Sequence, residues 1–174
     1  MKDKNERIHQ ILLKTAHVPK HLIHHYERNN VAEFVLHSLG NQECFNLSKA
    51  AYFIDNPDFN HLQGIAGYHV NEAYKENHWE TPDIFSQHMQ TTPFNQTVRG
   101  LSLPSIQKNK KSQQDVAHEL AYSLGIEKPN FLSWPVKYEN YGFLVFEPSP
   151  EDDPEFLQEQ LEIGAHLLGF CPIF

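Results

Sequence analysis

The chain has 174 residues and carries 14 Lys and Arg against 22 Asp and Glu, a formal charge of −8 with histidine neutral. With 40% hydrophobic, 12% aromatic and 21% charged residues it reads as an ordinary globular sequence, long enough to bury about 70% of its unfolded surface without a disulfide or a metal. Disordered and fibrous classes are excluded by that composition, and the acidic balance argues against nucleic acid as a partner, because no basic stripe exists to displace counterions.

The length suits one domain spanning residues 1–174, with a helical portion over about 1–40 and a mixed portion over about 41–174. The N-terminal apolar run, Ile11-Leu12-Leu13, is too short for a secretory signal. The longest apolar runs, Ala50 to Ile54 and Phe143 to Phe146, fall well short of the roughly 20 residues that span a bilayer. The expectation is a protein with no membrane partner and a cytoplasmic location.

Apolar spacing predicts a first helix over about Asn5 to Ala16, with Ile8, Ile11 and Leu12 on one side. Pro19 suits the first turn of a second helix whose apolar face carries Leu22, Ile23 and Tyr26. Asn29-Asn30 interrupts it, and a third helix runs over about Val31 to Leu39 until Gly40 stops it. The period then changes. Phe45 to Asp55 and Leu62 to Val70 read as antiparallel neighbouring strands joined by the turn signal Asp55-Asn56-Pro57-Asp58.

Thr81-Pro82 starts a short helix through about Gln90, with threonine as its cap. Residues 91–111 read as a long irregular connection with a short strand over Val98 to Leu103. Ser112-x-x-Asp115 caps a helix that sets Val116, Leu120 and Leu124 on one face and ends at Gly125. Phe131 to Tyr138 and Tyr141 to Glu147 form the clearest hairpin, around Glu139-Asn140. Asp153-Pro154 opens a final helix with Phe156, Leu157, Leu161, Ile163, Leu167 and Leu168 inward and Gln158, Glu159, Glu162 and His166 outward. Paired strands favour an α+β fold: a mainly antiparallel sheet of about four to five strands, with the helical N-terminal region and the C-terminal helix packed on it.

Twelve histidines are the compositional oddity, and full protonation would carry the formal charge from −8 to +4. His21 and His25 lie one helical turn apart, the geometry of a chelate that His17 or Glu27 would complete; a polar helix face that happens to use histidine is the simpler reading. His118-Glu119 is followed by Tyr122 where a zinc-protease helix needs its second histidine, so that chemistry is set aside. Glu33 with His37 and Glu162 with His166 are read as exposed i,i+4 ion pairs.

The turn from Asp55 to His61 concentrates carboxylates, amides and an imidazole, and Gly64-Ile65-Ala66-Gly67 follows it. Asp55, Asp58 and His61 are therefore the candidate ligand-binding residues, and His21, His25 and His61 the candidate metal ligands. Cys44 and Cys171, 127 positions apart, read as buried thiols. Lys108, Lys110 and Lys111 read as a solvated loop.

The leading reading is a non-enzymatic binding or regulatory module for a small molecule or a protein. The second is a metal-dependent hydrolase, in which a divalent metal held by Asp55, Asp58 and His61 would activate water. A third is an interaction subunit that docks through the acidic stretch Glu147 to Glu155.

Overall fold

A computed structural model describes residues 3–172. Its element order is α1 (Lys4–His25), α2 (Val31–Gly40), β1 (Leu47–Asn56), β2 (His61–His69), α3 (Pro82–Thr91), α4 (Pro93–Gly100), β3 (Ser102–Leu103), α5 (Gln113–Leu124), β4 (Asn130–Pro135), β5 (Tyr141–Pro148) and α6 (Pro154–Gly164). A 3-10 turn over Ala165–Phe170 follows α6. The strands form one antiparallel sheet in the order β3-β2-β1-β5-β4, with helices on both faces, so the expected α+β class is the observed one.

The central strands β1 and β5 are continuous apolar runs because both of their faces are covered. Ala50, Tyr52 and Ile54 of β1, with Leu144 and Phe146 of β5, face a core built on α1, α2, α3 and α6. Ala51 and Phe53, with Phe143 and Val145, face a second core under α4 and α5. A bulge between Tyr52 and Phe53 leaves Ile65 of β2 without an opposite number. As a result Leu62 belongs to the second core, while Ala66 and Tyr68, at the same parity, belong to the first. An α-carbon substituent at Gly64 would collide with the Val98 carbonyl, so only glycine lets β2 lie this close to α4.

Several expectations are corrected. The first two helices are one: α1 runs through Pro19, and its buried face is Ile11, Val18 and Leu22. Leu12, Ile23 and Tyr26, expected to be covered, are exposed on its flank. Residues 93–100 form α4 rather than irregular chain, with Pro93 at the first helical position and Gly100 at the last. Thr81 precedes α3 but caps nothing, because its hydroxyl is bound to Tyr74 and to the Asn77 carbonyl. Ile163 of α6 faces solvent. The α5 cap is as read, with Ser112 accepting from the Asp115 N–H and Gly125 left-handed at φ 65°.

Candidate functional site

The turn after β1 does not gather its polar side chains round a common point. Asp55 is buried, and its Oδ2 accepts from the Gln107 N–H at 3.0 Å while its Oδ1 has no partner among the described residues. His61 Nε2 lies 2.6 Å from Ser102 Oγ. Asp58 is solvent-exposed. Asn60 Oδ1 accepts from Ser105 N and from Asn109 Nδ2. These groups brace the segment that carries β3 and the loop after it. Among the described residues, no group of three or more His, Cys, Asp or Glu is placed to hold a metal ion.

His21 and His25 do share a face of α1, and that face meets an aromatic cluster. The His21 ring stacks on Trp79 at 4.8 Å and 8°, and His25 lies 5.5 Å from the same indole. Beneath them are two further histidines. His37 Nε2 donates to the Tyr74 carbonyl at 3.3 Å, and His78 Nε2 donates to the Phe34 carbonyl at 3.0 Å, with Ser38 Oγ at 2.9 Å. Trp79 Nε1 donates to that same serine. Burial pushes His37 down to about 4 and His78 down to about 3, so both are neutral packing groups near pH 7.

The expected Glu33–His37 surface pair is thereby overturned. Nine of the ten residues of α2 are buried, so the helix has no polar face to offer. Glu162 and His166 are exposed as expected, but the link between them runs from His166 Nδ1 to the Glu162 carbonyl. The acidic stretch also has internal work. Glu147 Oε2 accepts from the N–H groups of Glu127 and Lys128, Asp152 faces Arg7 at 3.6 Å, and Asp153 caps α6.

Glu33 belongs to a different arrangement. Only 3% exposed, it presents Oε1 to Arg99 Nη1 at 3.0 Å and Oε2 to Asn95 Nδ2 at 3.3 Å. Asn95 is itself fixed, since its Oδ1 accepts from the Gly67 N–H at 2.8 Å. Burial raises the Glu33 carboxyl to about 7, against the opposing pull of the Arg99 guanidinium and the Asn95 amide.

Glu33 and Arg99 stand at the wall of a cleft of about 370 Å³. Its floor is the sheet face at the bulge, Tyr52, Ile54 and Ile65, and Asn30, Gln63 and Cys171 complete its rim. The volume lies in the range of small-molecule sites, and the lining has their usual makeup of apolar floor and few polar groups. Cys171 is a poor nucleophile here, since burial pushes its thiol up to about 12, as it does that of Cys44. Both are free and buried, as expected.

Sequence reasoning treated Glu33 as a surface residue and passed over Arg99 and Tyr52, while Gly64-Ile65, which lines the cleft, reads in sequence as a strand bend or bulge or a weak signal of ligand approach. The one local signal was a carboxylate inside an otherwise apolar helix, Val31-Ala32-Glu33-Phe34-Val35-Leu36.

No family model matches the chain, and no curated protein matches it. Among solved structures it is similar to SdiA in complex with octanoyl-rac-glycerol, at 17% identity and a TM-score of 0.41 over 97% of this chain. The chain spans 64% of the length of that one. At this level of likeness no residue role and no ligand are carried across. No helix among the described residues is long and apolar enough to cross a membrane.

Proposed function

We propose that the protein is a non-enzymatic binding module for a small, uncharged amphipathic molecule, held in the cleft between the α1–α2 turn and the bulged face of β1 and β2. The observation that carries this is the buried Glu33 carboxyl, paired with Arg99 at 3.0 Å above an apolar floor. When Glu33 is ionised the two charges offset each other, and a charged ligand that drew Arg99 away would leave the buried carboxylate uncompensated. An uncharged head with both a donor and an acceptor meets no such cost. It finds donors on Arg99 and acceptors on Glu33 and Gln63, whose own amide is anchored to the Arg99 carbonyl at 2.7 Å. Its apolar body covers Tyr52, Ile54 and Ile65. Raised thiol and phenol pKa values at Cys171 and Tyr52 favour binding over covalent chemistry at this cleft.

The test is binding of Nile red, an uncharged solvatochromic dye, together with mass spectrometry of the intact protein as purified. One saturable site is expected, weakened roughly tenfold or more when Ile65→Trp fills the floor. A retained species of a few hundred daltons that is lost in the same variant would identify the ligand. Dye binding of high stoichiometry, unchanged by Ile65→Trp, would overturn the assignment.

A further inference from the structure

A second concavity lies elsewhere, a groove of about 740 Å³ along the outer edge of β4. β4 is the last strand of the sheet, so one of its edges has no neighbour. The hairpin fixes which groups point that way. Val136 N donates to the Asn140 carbonyl at 2.9 Å, and Val136 stands opposite Asn140 one step beyond the Pro135–Tyr141 pair. Alternation along an antiparallel ladder then turns Asn130, Leu132 and Trp134 toward β5 and leaves the backbone of Phe131, Ser133 and Pro135 facing outward. Pro129 and Pro135 bracket this edge and lack N–H groups, so the donors it offers are those of Phe131 and Ser133. An unpaired edge of this kind is a template for another strand.

What can reach it is limited by the walls. α5 lies over one face of the sheet and α6 over the other, and Gln114 and His118 of α5 oppose Gln158 and Glu162 of α6 across the groove. A folded sheet edge flanked by its own helices cannot enter such a recess, whereas a single extended chain can. The lining contains no Lys or Arg, and its one carboxylate is Glu162. The imidazoles of His118 and His166 are held alike. Each Nδ1 donates to the carbonyl four residues back, Gln114 at 2.8 Å and Glu162 at 2.6 Å. Trp134, also in the lining, carries a buried indole N–H with no partner among the described residues.

We propose that this groove is a docking site for an extended, lysine- or arginine-bearing peptide segment of a partner protein, which adds to β4 as a sixth strand. Backbone pairing with Phe131 and Ser133 supplies the alignment. Glu162, a lining without Lys or Arg and the −8 balance of the whole chain select for positive charge.

The test uses a capped hexapeptide of alternating lysine and valine, titrated into the full chain and followed by amide NMR. A second peptide of the same sequence and charge is N-methylated at every residue, so that it cannot pair as a strand. The expected result is saturable binding of the first peptide alone, with the largest shifts at Phe131 and Ser133. Ser133→Pro, which removes one of the two donors, should weaken it roughly tenfold. Glu162→Lys leaves the backbone edge intact, tests the charge component should Ser133→Pro fail to fold, and should also weaken binding. Equal binding of the methylated peptide would overturn the proposal, as would shifts centred on residues 147–155. So would a dimer in sedimentation that Ser133→Pro abolishes, since the occupant would then be a second copy of the chain.

Discussion

Glu33 concentrates the physics of the cleft in one side chain. A carboxylate in the first turn of α2 gains from the helix dipole and from Arg99, yet it lies among Val31, Ala32 and Phe34, where ionisation is costly. Its folded-state value of about 7 stands above the unfolded 4.5. Below about pH 4.5 the proton is bound in both states and the side chain's contribution to stability is complete. As pH rises through about 7 the native state must release that proton at a buried site, and the contribution is lost. At about 1.4 kcal/mol per pKa unit, the loss is about 3 kcal/mol. Glu33→Gln removes this dependence. Guanidinium unfolding at pH 4.5, 6 and 7.5 should therefore show wild type losing ground to the variant by about 3 kcal/mol as pH rises. A difference that stays flat across that range would mean that Glu33 titrates as a solvated carboxyl.

The elements carry strain where their connections are tightest. The β4–β5 hairpin turns through Lys137-Tyr138-Glu139-Asn140, with Asn140 N donating to the Lys137 carbonyl and both central residues at positive φ, 60° and 57°. This mirror-image turn suits the sheet twist, but its central positions favour Asn-Gly over Tyr-Glu. Tyr138 is 82% exposed, so little packing compensates. Replacing the pair by Tyr138→Asn and Glu139→Gly should stabilise the protein by about 1 kcal/mol and raise Tm by roughly 2–4 °C in calorimetry. A fall in Tm would show that the tyrosine engages its surroundings.

That hairpin, the β1–β2 hairpin and the α5 caps were all legible in sequence, because turn residues and apolar period are local signals, although β4 ends at Pro135 and the turn centres on Tyr138-Glu139 instead of Glu139-Asn140. The failures share a cause. α1 stays continuous through Pro19 because Val18 and Leu22 pack on either side of it, and α4 hid behind Pro93 and Gly100, which punctuate loops as readily as they bound helices. The bulge at Ile65 exists only relative to β1, and Glu33 meets Arg99 across 66 residues of chain. Neither has a local signature, so the cleft was invisible while its individual residues were in plain view.

At the scale of the whole molecule, burial changes what the twelve histidines can do. Composition alone suggested a charge that swings from −8 to +4 as they protonate. His37 and His78 are withdrawn from that swing until about pH 4 and 3, and His21, His25 and His69 are shifted down by partial desolvation. These bases have folded-state values below their unfolded 6.5, so their contribution to stability is complete above about pH 6.5 and is lost as pH falls through the folded values. That trend opposes Glu33 between pH 4.5 and 6.5, which is why the Glu33→Gln comparison, and not the wild-type curve alone, isolates the carboxyl.

The same asymmetry has a direct electrical readout. Near pH 5.8, the isoelectric point read from the sequence, an unfolded chain protonates most of its imidazoles while His37 and His78 stay neutral in the native protein. Even after the proton retained by Glu33 is credited, the native protein should be about one charge more negative than the unfolded chain at that pH. Isoelectric focusing without urea should place it below the position of the same protein focused in urea. Coincident positions would mean that water reaches His37 and His78, and that the aromatic stack joining α1 to the rest of the molecule opens in solution.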